Sequence, residues 1–125
     1  MQTTLKRLIE ELNFECLSGK ESLERTAHDA YVSDLLSDVM GRTHAGMLWV
    51  TSQVHKNIVA VASLKEMSAI IVVNERRIDP EVLAHAEGEE VVIIASGLPA
   101  FETTGLLYKY LEKVKNEKWK VENEQ

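Results

Sequence analysis

Residues 69–73, Ala69-Ile70-Ile71-Val72-Val73, and residues 91–95, Val91-Val92-Ile93-Ile94-Ala95, bracket the segment that decides the fold. Each run is apolar throughout, so neither face of the extended chain suits water, and the β-branched side chains favour strands. Between them, Asp79-Pro80-Glu81 offers an N-cap, a proline at the first helical position and an acid at the positive helix end. That helix is expected to run to about Glu87 and to stop at Gly88. Strand, helix and strand at these lengths form a βαβ unit, with parallel strands joined by a right-handed crossover.

The same rhythm extends in both directions. Upstream, Met47-Leu48-Trp49-Val50 reads as another strand, followed by polar Thr51-Ser52-Gln53 and a helix from about Val54 to Leu64. Downstream, Pro99 opens a last helix whose Leu106, Leu107, Tyr110, Leu111 and Val114 are expected to face inward. Lys115 to Gln125 is polar except for Trp119 and Val121, and either extends that helix or frays. Near the start, Leu5, Leu8, Ile9 and Leu12 recur at helical spacing behind Thr3 or Thr4 as N-cap. Phe14 to Leu17 reads as a short strand ending at the turn Ser18-Gly19-Lys20, and Thr26 to Val32 as a second extended piece. Ser33-Asp34 then caps a short helix through Met40 that buries Leu35, Leu36, Val39 and Met40 and ends at Gly41. The expectation is one α/β domain over residues 1–114, a mainly parallel sheet of four to five strands flanked by helices, with a polar tail over 115–125.

Composition narrows the function. With 125 residues, 45% hydrophobic and 27% charged, the chain can bury a core without disulfides or metals. A net charge of −6, with basic residues scattered apart from Arg76-Arg77 and the tail, disfavours nucleic acid as a partner. Cys16, the single cysteine, excludes an intrachain disulfide and reads as a small core residue in an early strand. No histidine among His28, His44, His55 and His85 stands four residues from another, so no metal site is expected. The opening residues lack the apolar core of a signal peptide, and a run such as Ile58-Val59-Ala60-Val61-Ala62 is too short for a bilayer. The expected setting is cytoplasmic, away from membranes.

The catalytic and nucleotide motifs are missing. Gly19-Lys20 is followed by Glu21 and preceded, five residues before the glycine, by Phe14, so no phosphate loop exists. There is neither a G-x-G-x-x-G fingerprint nor a G-x-S-x-G elbow, and no cofactor is implied. The better lead is positional, because ligands of open parallel sheets sit beyond the carboxyl ends of the strands. The loops there hold Thr51, Ser52, Gln53, His55 and Asn57, then Arg76, then Ser96, and these are the ligand-binding candidates. The first loop, at a helix start, suits an anion or nucleotide phosphate. Equally, Thr51 and Ser52 can simply cap the helix while His55, Asn57 and the arginines face water.

Residues 31–40, from Tyr31 to Met40, and residues 48–62, with Thr51-x-Gln53-x-His55-x-Asn57 between a strand and an Ala/Val helix, resemble the DRTGG domain family. The resemblance runs from the first helix to about Leu111. It implies a fold like the N-terminal domain of HPr kinase/phosphorylase, to which the family is related. Such domains also occur in some phosphotransacetylases and in pyrophosphatases that carry CBS domains. Glu24-Arg25-Thr26 stands near the name-giving Asp-Arg-Thr, whereas Asp29-Ala30 occupies the position expected for the two glycines. Glycines there permit positive φ or close backbone approach.

The resemblance implies a stand-alone regulatory, ligand-sensing or dimerisation module without catalysis of its own. The kinase activity of HPr kinase belongs to a separate phosphate-loop domain, and this chain has no such loop. The expected partners are a second copy, a partner protein or a small anionic ligand. The homodimer expectation draws also on Trp49 and Met47, apolar residues beyond the evident needs of a core. Two alternatives remain open: nucleotide or phosphate binding through Thr51 to Asn57, and an enzyme using His55 with Ser52 or a carboxylate.

Overall fold

The structure, a computed structural model, describes residues 3–123, with side chains through Glu117. Its elements are β1 (Thr3–Thr4), α1 (Leu5–Leu12), β2 (Glu15–Ser18), a 3-10 turn (Lys20–Ser22), β3 (Thr26–Ala27), β4 (Ala30–Val32), α2 (Leu36–Arg42), β5 (Leu48–Thr51), α3 (Asn57–Leu64), β6 (Ala69–Val72), α4 (Pro80–Gly88), β7 (Ile93–Ala95) and α5 (Ala100–Asn123). The main sheet runs β2-β7-β6-β5-β4. Its last four strands are parallel, in the registers Tyr31–Trp49, Trp49–Ile70 and Ile71–Ile94. The expected βαβ units therefore stand. Edge strand β2 alone runs antiparallel, pairing Cys16 with Ile94.

Alternation along each central strand divides the core in two. Leu48, Val50, Ile71, Val92 and Ile94 point to the face covered by α1 and α5, where Leu5, Leu8, Leu107, Leu111 and Val114 meet them. Trp49, Ile70, Val72 and Ile93 point to the other face and pack on Val39, Ile58, Val59, Ala62, Val82 and Ala86 of α2, α3 and α4. Continuous apolar strands are thus explained by helices on both sides. The result is a three-layer sandwich.

Several local expectations change. Thr26 to Val32 is two strands: Thr26–Ala27 joins β1 in a separate antiparallel pair, and Ala30–Val32 forms the far edge of the main sheet. The break falls at His28-Asp29, where the Asp29 carboxylate accepts the Ala30 N–H at 2.8 Å. Helix α2 runs past Met40 and Gly41 to Arg42, and Leu35 just before it is 64% exposed. The inward set assigned to α5 holds except for Leu106, which is 41% exposed. The stretch from Lys115 continues the helical backbone to Asn123; Trp119 and Val121 lie outside the described side chains.

Helix α4 includes Gly88 instead of stopping there, because the turn is made later, at Glu90 (φ 58°). The Val91 N–H reaches back to the Ala86 carbonyl at 2.9 Å, as the Met67 N–H reaches Ala62 after Glu66 (φ 53°). Both are left-handed helix terminations that glycine usually occupies. Gly19 is a true glycine position: at φ 75°, an added Cβ would meet the Val92 backbone at 2.9 Å. Cys16 lies in β2, partly buried, its Sγ–H donating to the Ser18 carbonyl at 3.2 Å. Burial pushes its thiol pKa up, so the neutral form is favoured.

Candidate functional site

Two adjacent parallel strands send their chains to opposite faces of the sheet. After β6 the chain turns to α4, on the Trp49 side; after β7 it crosses to α5, on the Leu48 side. Such a divergence opens a crevice at the carboxyl ends, because the chain leaves the two neighbouring strands toward opposite faces. A cleft of about 690 Å³ lies there, walled by Asn13 to Glu15 and Leu17 of the antiparallel edge, by Glu75 to Ile78, by Leu83 of α4 and by Ala95 to Gly97. Antiparallel pairing is what brings the wall into place, since it sets Glu15 opposite Ala95.

The loop after β6 aims its charges by an unusual backbone. Asn74 (φ 68°) and Glu75 (φ 51°) are consecutive left-handed residues without being glycine. Their N–H groups donate to the Leu98 and Ser96 carbonyls at 2.8 and 3.3 Å, lacing the two loops together. Left-handed non-glycine residues are strained, and such strain persists where surrounding bonds hold it. Arg76 and Arg77 follow directly, exposed, and neither forms an ion pair among the described residues.

The loop after β5 is organised around Asp34, a residue expected only as a helix cap. Its carboxylate accepts from the Thr51 hydroxyl (2.7 Å), the Ser52 N–H (2.7 Å) and the Ser52 hydroxyl (2.8 Å). The Gln53 side-chain amide donates to the Asp34 carbonyl at 3.2 Å. Partial burial works to raise the Asp34 pKa. The bonds from the Ser52 N–H and from the Thr51 and Ser52 hydroxyls, with the field of Arg76, outweigh it and hold the carboxyl below its ordinary value. The donors offered to an anion at Thr51-Ser52 are thus already turned to a carboxylate of the chain itself.

The capping role foreseen for Thr51 and Ser52 falls to His55, whose Nδ1 accepts the Asn57 N–H at 3.2 Å. Thr51 is buried, 1% exposed, and also accepts the Gln53 N–H. Ser96 is equally buried; its hydroxyl lies 2.7 Å from that of Thr103 and accepts the Leu98 N–H, which fixes the start of α5. Asn57 opens onto a groove between α3 and α4, beside Lys56, Glu81 and His85. The structure therefore groups Thr51, Ser52 and Gln53 with Asp34 and within the field of Arg76, while Ser96 turns its hydroxyl to the core. Sequence reasoning missed Asp34, Glu15, Leu17 and Leu83. Only the tertiary pairing of distant segments brings them to the rim.

The family described as the DRTGG domain matches residues 7–110. The chain belongs to the DRTGG domain family. Among solved structures this DRTGG domain is similar to the CBS and DRTGG domains of the regulatory region of a Clostridium perfringens pyrophosphatase, complexed with the activator diadenosine tetraphosphate. The TM-score is 0.68 at 16% identity, over 83% of this chain and 45% of that one. At that identity the likeness speaks for the fold, and this chain spans less than half the length of its structural relative. No curated protein matches it.

The residues near the name-giving motif serve the opposite end of the DRTGG sheet. The Arg25 guanidinium donates to the Ser68 and Glu90 carbonyls at 3.3 and 3.0 Å, and the Ser68 hydroxyl donates to the Thr26 and Gly46 carbonyls. These bonds tie β3 to the amino ends of β6 and β7. Asp29 and Ala30 take no positive φ, so that turn needs no glycine. Among the described residues no three His, Cys, Asp or Glu side chains converge on a metal position, and no helix is long and apolar enough to cross a membrane.

Proposed function

We propose that this DRTGG domain is a regulatory module that senses a small anionic ligand and has no catalysis of its own. The observation that carries the reading is the crevice at the carboxyl ends of β6 and β7, whose following helices lie on opposite faces, flanked by two arginines that form no ion pair among the described residues. Arg76 is the principal cation, with Gln53 and His55 on the neighbouring rim and Asn57 beyond them. The structural relative supports the reading, being the regulatory region of a pyrophosphatase complexed with a nucleotide activator. A His55-based enzyme gains no such support: the ring accepts a backbone N–H, that of Asn57, and no nucleophile is bonded to it among the described residues.

The test is thermal unfolding with pyrophosphate, ADP and diadenosine tetraphosphate. A ligand at a hundredfold excess over its Kd stabilises the native state by about 2.7 kcal/mol. For a domain of this size that raises Tm by roughly 10 °C. Arg76→Ala should remove most of the shift while leaving the unliganded Tm near its original value, since Arg76 is exposed. No shift with any of the three at millimolar concentration, or the same shift in the variant, overturns the reading.

A homodimer is the second reading, and it rests on a different surface. Trp49 and Met47 are fully committed to the core, 0% and 5% exposed, and offer nothing to a partner. Among the exposed apolar residues, which include Val32, Leu35 and Leu64 on other elements, a group gathers at and just before the first turns of α5: Leu98 (40%), Phe101 (87%), Leu106 (41%) and Tyr108 (69%). Phe101 and Tyr108 stand two helical turns apart and so share a face. An apolar stripe of this kind on an otherwise charged surface suits an isologous contact. Sedimentation equilibrium at micromolar concentration should give a dimer for the wild type and a monomer for Phe101→Glu. A wild type that sediments as a monomer removes this reading.

A further inference from the structure

We infer that the crevice takes a nucleoside phosphate, with the phosphate at Arg76-Arg77 and the ring in the trough between β2 and α4. The inference rests on the reading of the crevice as an anion site and adds what its apolar lining takes. The cleft is chemically mixed. Exposed Arg76 and Arg77, on the loop after β6, line it together with half-buried Leu17 of β2 and Leu83 of α4 and with buried Ile78. Its volume of about 690 Å³ falls in the range of small-molecule sites, far beyond what one phosphate needs.

The charges on the wall sharpen the choice. Glu15 and Glu75 also line the cleft, so a compact, highly charged anion meets two carboxylates as well as two guanidinium groups. A ligand with its charge at one end and a neutral ring at the other avoids that repulsion, and opposing a competitor in this way is how sites select. The Glu15 carboxylate and the Asn13 side chain stand on the wall beside Leu17, where they can accept hydrogen bonds from the amino group of a base. A flat ring with polar edges fits between the leucines, which a sugar phosphate without a base leaves uncovered.

The experiment is a ¹⁵N-¹H titration of the whole chain with AMP, with inorganic pyrophosphate as the bare anion and with adenosine as the bare ring. AMP is expected to shift the amide signals of Leu17, Leu83 and Gly97 and to bind roughly tenfold more tightly than either fragment. Arg77→Ala should weaken AMP by a similar factor, and Glu15→Lys should strengthen pyrophosphate binding without disturbing the fold, since both side chains are exposed. Pyrophosphate binding as tightly as AMP, with Leu17 and Leu83 unmoved, overturns the nucleoside assignment and leaves the anion site standing. Absence of any shift around Arg76 and Gly97 with all three compounds overturns both.

Discussion

Replacing Trp49 with alanine is expected to cost the fold about 3–5 kcal/mol, read as a fall in the urea midpoint of unfolding. The indole is the largest fully buried side chain among the described residues, at 0% exposure, on β5, an inner strand of the sheet between β6 and β4. It packs among Val39, Ile58, Val59 and Ile70, contributed by α2, α3 and β6. Its ring N–H also donates to the Ser33 carbonyl at 2.8 Å, so truncation removes a hydrogen bond along with the apolar contacts. Domains of this size commonly hold about 5–15 kcal/mol in total, so the variant stands close to the unfolding threshold. Trp49→Phe keeps most of the volume and should retain more than half of what alanine loses. If the alanine variant unfolds at the wild-type midpoint, the central placement of Trp49 is wrong.

The second large effect belongs to Asp34→Ala, expected to destabilise by about 2 kcal/mol at neutral pH. The variant removes the acceptor of three hydrogen bonds at once and leaves the hydroxyl of Thr51, 1% exposed, without that partner. The pH dependence carries a definite sign. Asp34 has its carboxyl pKa lowered in the folded chain, so its ionised form favours folding. That contribution is complete above the ordinary aspartate range, near 4, and is lost as pH falls through it to the depressed folded value. The stability gap between wild type and Asp34→Ala should therefore narrow in acid. A gap that stays constant from neutral pH to about 2 contradicts the assignment of the carboxylate as the organising acceptor.

How much of this was legible beforehand follows from which forces are local. The runs 69–73 and 91–95 announced buried parallel strands because their pattern requires helices on both faces, whichever helices those prove to be. The carboxyl-end rim followed from parallelism alone, and Arg76 lines the cleft there. What stayed hidden depends on pairing across the chain. Ser33-Asp34 has the composition of a helix cap, and only the position of β4 beside β5 turns Asp34 toward Thr51 and Ser52. Gly88 looks like the left-handed stop, yet it is the last helical residue, and the left-handed turn falls at Glu90, closed by the bond from Val91 to Ala86. Leu17 and Leu83 carry no motif at all, since they meet only after β2 docks antiparallel to β7.

That docking has a consequence for cooperativity. Neighbours in the parallel part of the sheet are close in sequence, as with Leu48 and Ala69, whereas Cys16 and Ile94 are 78 residues apart. Closing the longer loop carries roughly 1 kcal/mol more chain entropy than closing the shorter one. The edge strand is thus the entropically dearest contact in the sheet, and it is also one wall of the crevice. Any molecule that touches both Leu17 and Arg77 acts as a clasp between β2 and the distant loop after β6, so occupancy at the rim tightens the attachment of that edge strand.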